Sequence, residues 1–185
     1  MRDRMPDDVI DADKLDPQFK IEISKQPGGE NLKLCFQCGT CSGTCPVRAI
    51  NDKYNPRRII RMALLGMRKE VLCSDFIWLC STCYACHERC PQNVRIPELM
   101  FAIRNIALRE GNIHPVYKSY VDSLGGHGRL LEVGEFENEK RQKYCLPPIV
   151  EEKERIHKIF SHTRIKDRTD GKLTEGKACS TEAGK

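Results

Sequence analysis

The sequence has no long hydrophobic run. Its best apolar window, Ile59 to Met67, is short and is interrupted by Arg61, well below the roughly 20 apolar residues that a membrane-crossing helix needs. No export signal is visible either: acidic residues occupy the first positions, where a signal peptide would carry its apolar segment. The chain is therefore expected in the cytoplasm, without a membrane span. A Gly-x-Gly-x-x-Gly stretch is missing, which removes the usual fingerprint of a flavin or nicotinamide site. Aromatic residues make up only 6% of the chain, so its basic residues lack the stacking platforms that would point to nucleic acid. Adjacent cysteines are also absent.

What the chain has in abundance is separated cysteine, eleven in 185 residues. An odd count without an export signal argues against a disulfide framework, and free thiols at tight, regular spacing bind metals. Cys35, Cys38, Cys41 and Cys45 are followed by Pro46, in the pattern C-x2-C-x2-C-x3-C-P. Cys80, Cys83, Cys86 and Cys90, followed by Pro91, repeat that pattern 45 residues later. A doubled run of four is too many ligands for one structural zinc ion. It suits two cubane [4Fe-4S] clusters, because one tight loop reaches three iron corners and the fourth needs a cysteine from elsewhere. In two-cluster ferredoxins the fourth cysteine of each run ligates the other cluster. Carried onto this chain, cluster one takes Cys35, Cys38, Cys41 and Cys90, and cluster two takes Cys80, Cys83, Cys86 and Cys45. Each proline turns the chain away without an N–H to satisfy. The clusters' negative charge offsets the formal net charge of +5, which further weakens a nucleic-acid reading.

Periodicity and caps predict helices almost throughout. Asn55 and Pro56 open one that stops near Gly66, Ser74 and Asp75 cap a short one, and Pro97 opens a longer one ended by Gly111. Pro115 starts another, closed by Gly125 and Gly126, and a further helix covers Glu151 to Phe160. Around Phe19, Ile21 and Ile23 strand-like alternation competes with a helical face, and helix is favoured. The fold class is mostly α, with one compact domain and appendages. The expected divisions are an N-terminal arm over 1–30, a helical cluster domain over 31–128, and a charged C-terminal arm over 129–185. Within the last, residues 163–185 read as disordered or partner-bound.

The helical 34 residues between Cys45 and Cys80 resemble the α-helical ferredoxin domain found in the iron–sulfur subunits of succinate dehydrogenase and fumarate reductase. The stretch 31–125 as a whole resembles HdrC, the iron–sulfur relay subunit of methanogen heterodisulfide reductase. The residues that carry this likeness are Asn31 to Cys41, Cys45-Pro46-Val47, Asn55-Pro56-Arg57, Trp78 to Cys86, and Cys90-Pro91. The resemblance implies an oxidoreductase component that relays electrons from a flavin-containing subunit to a catalytic subunit, which reduces the heterodisulfide of coenzymes M and B in methanogenesis. It also implies flavin-based bifurcation and a nickel–iron hydrogenase or formate dehydrogenase as donor. Proteins like that catalytic subunit carry Cys-Cys-Gly repeats, which this chain lacks. No catalytic residue is therefore expected here, and the substrate site is expected elsewhere. A free two-cluster ferredoxin and an iron–sulfur subunit of another oxidoreductase are the alternatives.

Other residues carry smaller expectations. Cys73 reads as a buried packing thiol, while Cys145 and Cys179 read as surface or interface thiols. His87 reads as a loop residue rather than a ligand. Phe36, Tyr84 and Trp78 are expected to shield the clusters from water. Arg57, Arg58, Arg61, Arg68 and Lys69 read as a solvated helix face or a docking surface.

Overall fold

In the computed structural model, which describes residues 10–150 and 152–172, every regular element among the described residues is a helix. The chain divides into two compact units, the first ending at Ile106 and the second beginning at Ala107. One compact domain with appendages was the expectation. The expected boundary at 128 falls inside the second unit.

In the first unit, α1 (Phe19–Ser24) settles the competition of periods in favour of helix. Asp16 accepts the backbone N–H of Gln18 at 2.9 Å, just ahead of the helix. Phe19 and Ile23 are fully buried, and α1 packs on α4. The segment read as an arm is thus part of this core from about residue 16 onward. Two such side chains gain about 3–6 kcal/mol by leaving water, more than six ordered helical residues would gain as a free peptide. A second tie is polar: Arg68 donates to Asp16 at 3.2 Å and to Glu22 at 2.6 Å, with its guanidinium over the Phe19 ring.

Two very short helices, α2 (Thr40–Gly43) and α3 (Pro46–Ile50), flank the end of the first cysteine run. Then α4 (Pro56–Leu65) starts as its sequence predicts, with the Asn55 side chain accepting the Arg58 N–H. It ends on Gly66, at φ +84°. An added Cβ there would collide with the Asp16 carbonyl, and the Asp16 N–H bonds the Gly66 carbonyl at 2.8 Å, so glycine is required twice over. After α5 (Arg68–Leu72), a 3-10 turn over Asp75–Leu79 takes the place of the expected short helix. Ser74 does not cap it; its hydroxyl bonds the Val71 carbonyl instead. The second run contains α6 (Ala85–Glu88) and is followed by α7 (Ile96–Arg109). Ile96, Leu99, Met100, Ile103 and Ile106 are all fully buried.

In the second unit, α8 (Pro115–His127) runs through Gly125 and Gly126 to a left-handed Gly128, two residues beyond the expected stop. A Cβ on Gly125 would press on the Phe160 ring at 3.3 Å, so this glycine allows close helix packing rather than ending the helix. Here α9 (Glu135–Lys143), α10 (Lys153–Thr163) and α11 (Ile165–Thr169) follow, with α10 and α11 both packed on α8. The α11 helix falls in a stretch read as disordered or partner-bound; the rest of that stretch from 173, Cys179 included, lies outside the described residues.

Candidate metal centre

The two cysteine runs fold as copies of one another. Members 45 residues apart share their exposure: Cys35 and Cys80 are half-buried, Cys38 and Cys83 exposed, Cys41 and Cys86 buried, Cys45 and Cys90 half-buried. The backbone repeats too, with Gln37 and Thr82 at φ +66° and +54°, and Gly39 and Tyr84 at φ +87° and +62°. Three of these four are not glycine, and left-handed conformations cost such residues roughly 1–2 kcal/mol each. Strain of this kind, placed twice at the same point of a repeat, belongs to a loop shaped for a ligand. The short helices α2 and α6 that carry the third cysteines pack against each other. Asn31 donates to the Asn93 carbonyl at 2.9 Å, which ties the start of one run to the end of the other.

Two spaces open between the runs. One is lined by Cys35, Cys38, Cys41 and Cys90, with Gln37 and Arg57. The other is lined by Cys80, Cys83, Cys86 and Cys45, with Tyr54 and Pro97. Each wall therefore combines three cysteines of one run with the last of the other. Among the described residues no three His, Cys, Asp or Glu side chains converge closely enough to hold a single metal ion. Four cysteine sulfurs, the only side-chain donors of their kind among the described residues around each space, fit a cluster of several irons.

The sulfurs accept hydrogen bonds before any cluster is considered. In the first cradle the Gln37 amide donates to Cys35 at 3.4 Å, Thr40 Oγ1 lies 3.3 Å from Cys38, and the Val94 N–H donates to Cys90 at 3.3 Å. The Thr40 contact, assisted by the Arg57 charge, holds the Cys38 thiol below its ordinary pKa. In the second cradle Tyr54, 1% exposed, lines the space beside Cys80, and burial above all raises its pKa, with the neighbouring cysteine sulfurs adding to it. Burial also pushes the Cys41 thiol up, and it pushes Cys86 up to about 12, with Cys80 and Cys41 adding to it. Buried thiols that resist ionisation in an empty cradle become stable ligands once iron neutralises the thiolate.

Arg104 fixes the second loop from behind. Buried in α7, it donates to the carbonyls of Ile77 at 2.9 Å and Cys80 at 3.2 Å, between the rings of Trp78 and Phe101. Sequence reading missed it, although a cation beside Ile103 in an otherwise apolar helix was a usable signal. Tyr54, Gln37 and Thr40 were missed as well. For Tyr54 no periodic signal exists, since it precedes the helix cap.

Several lesser expectations change. Phe36 and Tyr84 are 59% and 41% exposed, so they stand beside the cysteines without covering them. The basic stretch splits: Arg57 lines the first cradle, while Arg68 ties α5 to α1. Cys73 is half-buried at the end of α5 and disulfide-bonded, not a packing thiol. Cys145 is exposed. His87 lies on α6 beside Glu88 and the Tyr84 ring, outside both cysteine-lined spaces.

A helical fold with two four-cysteine cradles defines an α-helical, two-cluster iron–sulfur protein, and the family model for a 4Fe-4S dicluster domain matches residues 31–94. The chain is 34% identical over 150 residues to the HdrC iron–sulfur subunit of CoB–CoM heterodisulfide reductase from Methanopyrus kandleri, covering 77% of this chain and 78% of that one. It is 39% identical over 125 residues to the HdrC subunit of the H2:CoB–CoM heterodisulfide, ferredoxin reductase of Methanothermobacter thermautotrophicus, covering 66% of each. Over 117 residues it is 43% identical to an HdrC subunit of the H2/formate:CoB–CoM heterodisulfide, ferredoxin reductase of Methanococcus maripaludis, covering 60% of this chain and 62% of that one. The chain thus spans about two thirds of the length of the latter two relatives. It belongs to the HdrC family of heterodisulfide reductase subunits, and it carries two [4Fe-4S] clusters. No helix among the described residues is long and apolar enough to cross a membrane.

Proposed function

We propose that this chain is the electron relay of a heterodisulfide reductase complex, taking electrons from a flavin-containing subunit and passing them to a catalytic subunit that reduces the CoM–CoB heterodisulfide. Cys35, Cys38, Cys41 and Cys90 hold one cluster; Cys80, Cys83, Cys86 and Cys45 hold the other. The observation that supports this most is the composition of the two spaces, each walled by three cysteines of one run and the last of its partner. Clusters bound there supply one-electron transfer without proton chemistry. The protein's share is placement: exchanged fourth ligands lock the halves together and hold the two centres close, a reading supported by the packing of α2 on α6, which carry Cys41 and Cys86.

The substrate site and the flavin lie on other subunits, since the chain has neither Cys-Cys-Gly repeats nor a dinucleotide fingerprint. Bifurcation at the flavin, with a nickel–iron hydrogenase or formate dehydrogenase as donor, follows from the same reading. So does a cytoplasmic location. Residues 129–185 serve as a partner-binding arm; Leu131, Phe136 and Tyr144 expose large apolar side chains there. The test is anaerobic purification from the native host. About eight irons on this chain, in stoichiometric company with a Cys-Cys-Gly protein and a flavoprotein, is the expected result. The same iron on a solitary chain would overturn the complex, and zinc in place of iron would overturn the relay.

A further inference from the structure

Among the described residues Arg104 is the only charged side chain that is buried, at 7% exposure. It lies in a stretch of α7 whose Met100, Ala102 and Ile103 are fully buried. Its guanidinium donates to the carbonyls of Ile77 at 2.9 Å and Cys80 at 3.2 Å. The ring centres of Trp78 and Phe101 are 5.8 Å and 5.4 Å away. Two carbonyls call for donors but not for a full charge, and a neutral amide would serve them without taking a cation out of water. A buried cation is favourable where an anion lies beyond the groups it bonds. The Cys80 carbonyl belongs to the residue that carries the first sulfur of the second run, and Cys80, Cys83, Cys86 and Cys45 line one space. Four thiolates around an iron–sulfur core make the content of that space the anion. The first space has a cation too, Arg57, but Arg57 is exposed and water and salt screen its charge.

We propose that Arg104 raises the reduction potential of the second cluster, its buried positive charge favouring the reduced state. Reduction adds an electron to a centre that is already negative, and a fixed cation behind the loop stabilises the added charge. In the interior that attraction is little screened. The two hydrogen bonds hold the guanidinium at one place relative to Cys80, so the effect is built into the fold. Arg104 is a positioning residue, since it acts through the Cys80 backbone and through its own field. The inference rests on the reading of Cys80 and Cys83 as ligands of one cluster, and not on the exchange of fourth ligands.

The test is a potentiometric titration of the cluster-loaded complex followed by electron paramagnetic resonance. In Arg104→Gln, which keeps a donor and loses the charge, one couple is expected to move negative. Its reduced-to-oxidised ratio falls about tenfold at fixed potential, which is 59 mV for a one-electron couple, and the other couple stays in place. Arg104→Lys keeps the charge and restores most of that shift. A role confined to hydrogen bonding would shift both variants alike, and that result would overturn the proposal. If the glutamine variant loses iron, Phe101 decides, because its ring is 43% exposed and tolerates exchange. Phe101→Glu places a negative charge beside the guanidinium and moves the same couple negative a few-fold relative to Phe101→Gln; no difference between the two overturns the proposal. Cys83→Ser marks the second cluster, and the couple that Arg104 moves must be the one it alters. If Cys83→Ser alters a cluster and the charge variants move no couple, the inference fails while the ligand reading stands. If Cys83→Ser alters neither cluster, the ligand reading itself fails, and this inference with it.

Discussion

The two cysteine runs are alike in spacing, exposure and backbone, yet they are held by different means. The first is steadied from within and beside its own loop, by Gln37, Thr40 and the Arg57 guanidinium. The second is steadied from outside, by Arg104 from α7, with Tyr54 of the linker lining its space. The repeat keeps what the cluster demands, which is sulfur at fixed spacing and a left-handed turn. It leaves free what surrounds the sulfur, and that is where two chemically equal clusters become unequal.

Breaking the outside support has the largest expected effect. Arg104→Met leaves two buried carbonyls without their charged donor and is expected to cost about 2–5 kcal/mol. In α4, beside the first run, Ile59 is fully buried, and Ile59→Val there is expected to cost only about 1 kcal/mol. Anaerobic denaturant unfolding measures both; equal losses would mean the two loops are held alike. Next come the turns. Gly39→Ala places a Cβ at φ +87° and is expected to destabilise by roughly 1–2 kcal/mol. Tyr84→Gly, at the matching position, is expected to stabilise by about 1 kcal/mol; the same unfolding experiment detects the opposite signs. A finer contrast is Gln37→Leu, expected to lower the first cluster's reduced fraction only a few-fold at fixed potential, because that bond is only partly buried and water screens it. Least of all, Phe36→Ser should change stability by no more than about 0.5 kcal/mol and leave the iron content intact, since the ring is largely in solvent.

The fold was legible where a residue type has one cheap use. Asn55 with Pro56, and Gly66 ten residues on, mark the ends of α4 because capping and left-handed termination have few alternative explanations. The eight cysteines were legible for the same reason. Gly125 misled, because a glycine also serves close packing, and only the Phe160 ring reveals which use applies. Phe19 and Ile23 read as arm residues since six helical residues carry little signal without the α4 surface they cover. Tyr54 and Cys80 line one space although 26 positions separate them, and that meeting belongs to no periodic pattern, so nothing local announces it.

The account depends most on each cradle combining both runs, and spectroscopy of Cys90→Ser tests this most directly. Mössbauer and paramagnetic spectra should show it altering the same cluster as Cys38→Ser, leaving unchanged the cluster that Cys83→Ser alters. If Cys90→Ser instead alters the cluster of Cys83, each run binds its own four irons, and the locking of the halves through exchanged ligands is wrong.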